Sequence, residues 1–367
     1  MDRYLHKLID IYIKNYVRNN PGQLKRLDEL ISIPNRFLVI SSTALGDTIL
    51  STPAIKSLRQ SFPEAEISML IHKNIAPLFK AYPYVDNIIL YHGGYKKFFL
   101  TLRTIRKTRP EAVLIFHGNG PQDIAFSVLS GANIILKPPT KSSHKKYLSA
   151  EQAQKKQHTI EDRLEIVRMM GGKVIDTNME IPAIADALKA RKIENFIGPD
   201  SELIGFQLGA ANVYKMWPVE NYIKLARRIL ETNQTVKIVI TGVSRERRLG
   251  EQIVEACGSG RILNSCGMFA IDELPYLIKR LRLLITVDTG TLHLAIALCT
   301  PTLSLFSATD PFITGPYQDP HLHDVIRKDG LFIATLPKKQ RDDSAMRLIS
   351  VGEVYLRYED IVHNRPV

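Results

Sequence analysis

The chain has 367 residues, of which 45% are hydrophobic, and its formal net charge at pH 7 is +12. A single hydrophobic core stops growing at about 250–300 residues, so this length predicts two domains. The positive charge indicates an anionic partner, such as a nucleotide, a nucleic acid, a phosphorylated glycan or a membrane surface. The three cysteines have no metal-ligand spacing, which is typical of a reducing compartment and argues against a structural zinc site or a disulfide framework.

No apolar run approaches the roughly 18 residues that a membrane-spanning helix needs. The first 20 residues carry charges throughout, whereas a signal peptide has an uninterrupted apolar core. These patterns predict a soluble cytoplasmic protein, and they leave contact with a membrane surface open.

Residues 1–35 are predicted to form a helical N-terminal extension. Within residues 1–20 the apolar side chains fall on one broad face, and the basic side chains lie elsewhere. Such a helix either docks on the protein through its apolar face, which we favour, or lies on an anionic membrane.

Strands alternate with helices through the rest of the first half, and this alternation predicts a parallel sheet. Three helices are predicted in this part of the chain. The first follows Asp47 and ends near residue 62, and the others cover residues 96–109 and 125–129. Residues 96–109 contain no acidic side chain. The predicted strands cover residues 37–42, 67–71, 88–91, 112–116 and 133–136.

Residues 137–157 interrupt this alternation and are rich in Lys, Ser, Pro and Gln. The composition predicts a surface loop. The loop is either simply solvated or acts as a lid that clamps an anionic substrate. A helix is predicted to follow at residues 158–170.

The second half repeats the alternation after a predicted linker at residues 181–199. Strands are predicted at residues 203–208, 236–241, 262–263, 283–287 and 302–306, and helices at residues 219–232, 245–257 and 271–280. Two such domains in tandem predict a ligand-binding cleft between them.

Asp47 lies in the first strand-to-helix turn, directly after Gly46. A carboxylate at this position either caps the following helix or acts as a general base on a hydroxyl group.

Two further charged residues lie near strand-to-helix turns of the second half. Lys215 follows the turn at Gly209 and is either a surface lysine or a group that neutralises phosphate. Glu246 follows the turn at Gly242 and is either solvated or bonded to two sugar hydroxyl groups.

The motif Asp288-Thr289-Gly290 joins an apolar strand to a predicted helix. Open α/β sheets bind ligands outside the carboxyl ends of their strands, and a helix N-terminus favours phosphate. The motif therefore predicts either a phosphate site or a simple N-cap. His293 lies one turn into the helix and has no role that we can assign beyond lining a pocket.

Four segments, in the order in which they occur along the chain, resemble the bacterial heptosyltransferase family, glycosyltransferase family 9. The resemblance spans roughly residues 36–362, and its strongest elements are Ala-Leu-Gly-Asp and Asp-Thr-Gly-x-x-His-Leu, about 240 residues apart. The four segments are FLVISSTALGDTILSTPAIKSLRQSFPEAEI, QHTIEDRLEIV, LGAANVYKMWP and DTGTLHLAIALCTPTLSLFSATDPFITGPY.

The resemblance implies an α/β fold of GT-B type, with two facing Rossmann-like domains, parallel sheets and a cleft between them. It implies an acceptor-side domain at residues 36–182 and a nucleotide-sugar donor domain at residues 183–345. A C-terminal helix at residues 346–367 would cross back onto the first domain.

The resemblance also implies roles for individual residues. Asp47 matches the catalytic base and Lys215 the lysine that contacts the donor diphosphate, while Glu246 matches the acidic residue at the donor ribose less securely. The expected acceptor contacts are Lys141, Lys145, Lys146 and Arg163, and the remaining donor-site matches are Gly209, Asp288, Thr289, Gly290 and His293.

The implied reaction is the inverting transfer of heptose from ADP-heptose to the Kdo- or heptose-bearing lipid A core of lipopolysaccharide. No metal and no cofactor are expected, since the nucleotide-sugar is a co-substrate. We expect a monomer in peripheral contact with the cytoplasmic face of the inner membrane.

Other functions compete with this hypothesis. The same fold could use another nucleotide-sugar or an acceptor other than lipopolysaccharide, or serve as an inactive scaffold. Nucleic acid is not expected as a partner, because the positive charges lack aromatic interleaving and no helix-turn-helix pattern is present.

Overall fold

A computed structural model describes residues 2–118, 120–139, 143–198 and 202–364. The chain divides into two compact units, Met1–Ala183 and Ile184–Val367.

The described residues of the first unit form five strands and six α-helices. The strands are β1 (Arg36–Ser41), β2 (Glu66–His72), β3 (Asn87–Tyr91), β4 (Ala112–His117) and β5 (Ile134–Leu136). The helices are α1 (Asp2–Asn19), α2 (Leu45–Ile49), α3 (Thr52–Ser61), α4 (Phe98–Lys107), α5 (Pro121–Leu129) and α6 (Thr159–Met169).

All five strands pair in parallel in the order β3-β2-β1-β4-β5. The central strands are almost continuously apolar and buried, as strands covered on both faces must be. Because the strand order reverses between β1 and β4, a crevice forms outside their carboxyl ends. The residues that follow Ser41 and the end of β4 at His117 lie at this crevice.

The N-terminal helix α1 packs against the first unit, as we expected of its apolar face. Ile9 and Ile13 are buried in the same core as α4 and α5. The Gln23 side chain donates hydrogen bonds to the carbonyl groups of Val128 and Ala132, at 3.2 and 3.1 Å. The extension is therefore an integral part of this unit.

In the second unit, the part of the chain that the structure describes forms six strands and eight α-helices. The strands are β6 (Glu202–Gln207), β7 (Val236–Thr241), β8 (Ile262–Asn264), β9 (Leu283–Val287), β10 (Thr302–Phe306) and β11 (His323–Arg327). The helices are α7 (Ala187–Ile197), α8 (Val219–Thr232), α9 (Arg247–Cys257), α10 (Leu274–Lys279), α11 (Gly290–Ala297), α12 (Pro311–Thr314), α13 (Phe332–Thr335) and α14 (Val351–Asn364).

Its sheet is also parallel, in the order β8-β7-β6-β9-β10-β11. Counted along the chain from β6, this is the strand order 3-2-1-4-5-6 of the dinucleotide-binding Rossmann fold. The reversal lies between β6 and β9, so the crevice of this unit lies beside the turns after Gln207 and Val287.

Helix α14 packs against α8 in the core of the second unit, where Val354 and Tyr358 are fully buried. Just before this helix, the Ile349 carbonyl accepts a hydrogen bond of 3.0 Å from the Trp217 indole. The predicted crossing of this helix onto the first domain stays a prediction.

Two elements differ from the sequence-based expectation. Helix α7 occupies most of the predicted linker, because Asp186 caps it by accepting hydrogen bonds from the amides of Leu188 and Lys189. Its residues Ile193 and Ile197 are buried. Strand β11 was not predicted, and it extends the sheet by pairing with β10.

In the described part of the Lys-rich segment 137–157, a short 3₁₀ helix covers Ser143–Tyr147, and Ser149 anchors the segment to β5. The backbone amide of Ser149 donates to the carbonyl of Ile135, and its hydroxyl accepts from the Ile135 amide, both at 2.9 Å. Within the part of the chain that the structure describes, no helix is long and apolar enough to cross a membrane.

The docking of α1 predicts a difference between two isoleucines of that helix. Replacing Ile13, which is 1% exposed, by alanine leaves a cavity and should lower the free energy of unfolding of the first unit by about 2–5 kcal/mol. Replacing Ile11, which is 55% exposed, should change it by no more than about 0.5 kcal/mol.

Chemical denaturation followed by circular dichroism measures both variants. The single tryptophan, Trp217, reports separately on the second unit and should be unaffected. Equal effects of the two substitutions would contradict the packing of α1.

Candidate functional site

The crevice of the first unit holds Asp47 in a cluster of polar side chains. Asp47 lies in the first turn of α2, and its carboxylate is 27% exposed. Its Oδ2 accepts a 2.9 Å hydrogen bond from the Thr43 hydroxyl, and its Oδ1 lies 3.2 Å from Nε2 of His117. Since Ala44 is the N-cap of α2, the capping interpretation of Asp47 is wrong. The carboxylate is open to a substrate and held from two sides.

Arg163 contacts Asp47 from the interior of the unit. Its side chain is 1% exposed, and its guanidinium donates hydrogen bonds to the carbonyls of Asp47, at 2.8 Å, and Phe116, at 3.2 Å. The third guanidinium nitrogen, Nη2, lies 3.6 Å from Oδ1 of Asp47. Burial lowers the pKa of Arg163 to about 10, so it stays charged at neutral pH. Arg163 thus fixes the backbone of Asp47, and its predicted contact with an acceptor stays a prediction.

A cavity of about 530 Å³ opens beside this cluster, and its walls include His117, Arg163 and Lys137. The Lys137 ammonium donates a 2.7 Å hydrogen bond to the Gly118 carbonyl, and burial lowers its pKa. Nearby, Asp123 accepts hydrogen bonds from the Ser42 hydroxyl and the Gly120 amide, while burial raises its pKa. The walls therefore carry two cationic side chains, Lys137 and Arg163, together with the carboxyl group of Asp162.

The three lysines predicted to contact an acceptor are distributed differently. Lys141 lies outside the described residues. Lys145 is exposed and pairs with Glu151 at 2.6 Å, while the Lys146 ammonium lies 5.0 Å from the ring centre of Tyr147. Contact of these residues with an acceptor stays a prediction.

The crevice of the second unit holds an ion pair between Lys215 and Asp288. The Lys215 ammonium lies 2.7 Å from Oδ2 of Asp288, and the Asp288 side chain is only 9% exposed. The two residues follow β6 and β9, so the pair spans the strand-order reversal. Asp288 therefore holds the ammonium group of Lys215 at the position where a Rossmann sheet binds its ligand.

Helix α11 begins at this ion pair. The N-cap of this helix is Thr289, which makes no side-chain capping bond, and Asp288 precedes the cap and pairs with Lys215 instead. Like every helix N-terminus, this one carries amide groups that the helix itself does not use. Gly290 is the first helical residue, and His293 is buried one turn further on.

Glu246 lies at the ends of β6 and β7, held against two glycines. Its side chain is 8% exposed, so the default interpretation as a solvated charge is wrong. Oε2 accepts a 3.0 Å hydrogen bond from the Val243 amide. A Cβ atom on Gly209 would lie 2.0 Å from the Glu246 carboxyl carbon, and one on Gly242 would lie 2.6 Å from Oε2. Glycine at these two positions therefore makes room for the carboxylate.

Sequence reasoning missed Thr43, His117 and Asp123 as members of the first cluster. The only available signal was the polar stretch that begins with His117 directly after a predicted strand, the same type of position as Asp47. Among the described residues, no group of three or more His, Cys, Asp or Glu side chains is placed to hold a metal ion.

The two sheets, each with a charged cluster at its strand-order reversal, correspond to the fold of solved glycosyltransferases. The chain is similar to the glycosyl transferase family 9 protein of Veillonella parvula DSM 2008, with 21% identity, coverage of 94% of this chain and 100% of that one, and a TM-score of 0.74. For Escherichia coli ADP-heptose lipopolysaccharide heptosyltransferase II the values are 18%, 90%, 99% and 0.73.

A sequence match identifies the family to which the chain belongs. Residues 140–326 match the model of glycosyltransferase family 9 (heptosyltransferase), and the chain belongs to this family and is a glycosyltransferase. A curated relative, lipopolysaccharide heptosyltransferase 3 of Escherichia coli K12, is 23% identical over 285 residues, covering 75% of this chain and 83% of that protein. The match includes Lys215, Glu246 and Asp288, whereas Asp47 lies outside it.

The close approach of Glu246 to Gly209 predicts a coupled effect of two substitutions. Gly209→Ala should lower the free energy of unfolding of the second unit by about 1–3 kcal/mol, because the new methyl group displaces the carboxylate. Adding Glu246→Ala removes the clash, so the double variant should be more stable than the sum of the single effects.

Thermal unfolding followed by Trp217 fluorescence measures this coupling. Gly352→Ala is the matched control, because nothing lies within 4 Å of a Cβ atom there. Strictly additive effects of Gly209→Ala and Glu246→Ala would contradict the placement of Glu246.

Proposed function

We propose that this glycosyltransferase transfers heptose from ADP-heptose to the inner core of lipopolysaccharide, a glycan of Kdo and heptose on lipid A. The proposal includes inversion at the anomeric carbon, independence of metal ions and action as a monomer. The observation that carries it is the pair of strand-order reversals, one holding an accessible carboxylate and the other an anchored lysine. Family membership and the names of the relatives, which are lipopolysaccharide heptosyltransferases, support the choice of substrates.

The second unit is assigned to the nucleotide-sugar donor. Lys215 and the amide groups at Thr289 and Gly290 supply positive charge and hydrogen-bond donors for a diphosphate. Glu246 is suited to accept hydrogen bonds from ribose hydroxyl groups, and Gly209 leaves room for this carboxylate beside the donor. His293 is assigned to the wall of this pocket. ADP-heptose as the donor is supported by the name of the similar Escherichia coli protein.

In the proposed reaction, an acceptor hydroxyl oxygen attacks the anomeric carbon of the sugar. The new carbon–oxygen bond forms as the bond to the diphosphate oxygen breaks, and the electron pair leaves with ADP. Asp47 takes the hydroxyl proton as general base, an effect that contributes roughly 10²–10⁴-fold to rates. A single displacement of this kind inverts the anomeric centre.

Independence of metal ions follows from the charge assigned to the donor site. The leaving ADP gains negative charge, which Lys215 and the first amide groups of α11 would stabilise in the transition state. One such preorganised contact typically contributes about 2.7–4 kcal/mol to lowering a barrier.

The first unit is assigned to the acceptor. Its cavity is lined by Lys137, Arg163 and His117, and Asp47 lies against His117 and Arg163. The positive charges of Lys137 and Arg163 suit the carboxylates of Kdo or the phosphates of a lipid core. Lys141, Lys145 and Lys146 are assigned to longer-range attraction of the same acceptor.

A second candidate keeps the fold and the chemistry but changes the substrates. Another nucleotide-sugar could occupy the second unit, or an acceptor other than lipopolysaccharide the first. Glu246 and Lys215 recognise parts that nucleotide-sugars share, so the charge of the cavity favours an anionic acceptor without fixing its identity.

Peripheral contact with the cytoplasmic face of the inner membrane is assigned to α1 and α4. His6 contacts Tyr95, just before α4, and Tyr16 lies under the Arg106 guanidinium, so the two helices run side by side in the same direction. Both expose apolar side chains among lysines and arginines, which is the composition of helices that lie on anionic bilayers. The exposed apolar residues are Leu8, Ile11, Tyr12, Phe99 and Leu100.

Asp47→Asn is predicted to lower the rate of transfer at least 100-fold, because loss of a general base costs about 10²–10⁴-fold. ADP affinity should stay unchanged, because Asp47 belongs to the acceptor unit.

Lys215→Ala is predicted to weaken ADP binding about tenfold or more, since each 1.4 kcal/mol of lost charge pairing is a factor of about ten. Isothermal titration with ADP and a transfer assay in EDTA measure both.

Lys224→Ala is the control for Lys215, because Lys224 is an exposed lysine of the neighbouring helix α8. Full transfer by Asp47→Asn would refute the base, and an unchanged ADP affinity of Lys215→Ala would refute the donor site. Loss of all wild-type transfer in EDTA would refute independence of metal ions.

The membrane assignment predicts that Leu8→Glu with Ile11→Glu weakens binding to vesicles containing anionic phospholipid. We expect about a tenfold loss or more, because a fully buried large apolar side chain contributes about 1.5–3 kcal/mol. Co-sedimentation measures it, with Leu356→Glu as control, since Leu356 is equally exposed but lies on α14 of the second unit. Undiminished binding of the double variant would contradict the assignment.

A further inference from the structure

The cavity of the first unit takes one of its walls from the N-terminal helix α1. Its lining includes His6 of α1, His117 at the end of β4, Pro121 at the start of α5 and Arg163 of α6. Helix α1 precedes residues 140–326, which carry the family match, so that match assigns no role to this wall. The N-terminal extension therefore shapes the space that is assigned to the acceptor.

Helix α1 runs beside α5 in the same direction, and this packing fixes the position of the wall. His6 and Pro121, near the beginnings of the two helices, line the same cavity. Near the end of α1, the Tyr16 hydroxyl would lie 3.9 Å from a Cβ atom on Gly131, just past α5. Because α5 follows the carboxyl end of β4, α1 also begins at that edge of the sheet. Ile13 is 1% exposed in the shared core and holds the helix there.

Two neighbours hold His6 at the cavity. Its Nδ1 lies 3.0 Å from the Tyr95 hydroxyl, and its Nε2 lies 3.8 Å from a carboxylate oxygen of Asp10. The side chain is nevertheless 38% exposed, so a ligand in the cavity has access to the imidazole. An imidazole bonds sugar hydroxyls and anionic oxygens, since its nitrogens donate or accept hydrogen bonds. His6 therefore presents a polar group to the acceptor.

The same helix exposes apolar side chains that are assigned to the membrane. Leu8 is 61% exposed and Ile11 is 55% exposed. Because a helix rises about 1.5 Å per residue, these two residues lie only about 3 Å and about 7.5 Å from His6 along the helix axis. In a lipid-linked glycan the sugars and the acyl chains are neighbours in the same way. Helix α1 thus combines a wall of the cavity with the apolar surface assigned to the bilayer.

We infer that α1 is part of the acceptor site and selects a lipid-linked glycan, with His6 in contact with the sugars and Leu8 and Ile11 in the bilayer that holds the acyl chains. The inference rests on the proposed function and deepens it, because membrane binding and recognition of the glycan become properties of one helix. An acceptor that diffuses within the bilayer then reaches the cavity without leaving the membrane. Loss of the His6 side chain weakens the acceptor site itself, whether or not a membrane is present.

The test uses one truncated core in two forms, anchored by lipid A in vesicles of phosphatidylethanolamine and phosphatidylglycerol, and deacylated in solution. His6→Ala should raise the KM for both forms about three- to tenfold, the equivalent of one hydrogen bond lost from a binding site. The kcat and the KM for ADP-heptose should not change, because His6 is assigned to neither the proton transfer nor the donor. His6→Gln keeps an amide that bonds oxygen and should recover most of the acceptor affinity.

Two further variants separate contact with the glycan from contact with the membrane. His363→Ala is the matched control and should leave both acceptor KM values unchanged, because His363 is an exposed histidine of α14 with an acidic residue four positions away, as His6 has. Leu8→Glu with Ile11→Glu should raise the ratio of the KM in vesicles to the KM in solution about tenfold or more. In His6→Ala this ratio should stay at the wild-type value. Unfolding midpoints equal to that of the wild type show that α1 stays docked.

A wild-type acceptor KM in His6→Ala, or a rise confined to the vesicle-bound form, would overturn the inference. Failure of the deacylated core to compete with the vesicle-bound core in the wild type would overturn it too, because the cavity would then not hold the glycan. If the wild type transfers heptose, such results refute the role of α1 and leave the proposed function standing. If the wild type transfers none, the proposed function falls and the inference falls with it.

Discussion

A parallel sheet that is covered on both faces leaves its ligand few places to bind. The strands of each unit are buried along nearly their whole length, so polar groups are tolerated mainly where the strands end. The reversal of strand order separates the connections after two central strands and opens a crevice there. In the first unit this places Asp47 beside His117, and in the second it places Lys215 beside Asp288. The chemistry of the chain depends on this constraint.

The two clusters present groups of opposite charge, a carboxylate in the first unit and an ammonium group in the second. The first unit must hold a carboxylate in an accessible position, and it does so with a hydrogen bond from Thr43 to the carboxylate and one from the buried Arg163 to the Asp47 backbone carbonyl. The second must present a positive charge to an anion, and the nearly buried Asp288 holds Lys215 in place. A proton acceptor and an anchored cation are the two groups that transfer from a nucleotide-sugar requires. Their separation into two units matches the separation of acceptor and donor in the proposed reaction.

The sequence predicted the features that depend on short stretches of the chain. Strands β7, β9 and β10 and helix α8 lie where the apolar patterns predicted them, and Asp47, Lys215 and Asp288 follow strands as expected. Helix α7 was missed because flanking prolines suggested a linker, although Asp186 provides a cap.

The contacts that decide function could not be read from the sequence, because they join distant residues. His117 meets Asp47, 70 positions earlier, only because β4 pairs with β1. Glu246 has the sequence context of a solvated charge, and its buried position depends on Gly242 in the same turn and Gly209 in the turn after β6. The role of α1 was also ambiguous in the sequence, since one face of this helix docks while other apolar residues remain exposed.

The most direct test of the central claim is product analysis with defined substrates. The purified full-length protein is incubated with ADP-heptose and with lipopolysaccharide cores truncated at successive sugars, and the products are read by mass spectrometry. The account predicts that one truncated core gains a single heptose while an equal amount of ADP is released. Consumption of another nucleotide-sugar in place of ADP-heptose, or no heptose added to any core, would contradict it.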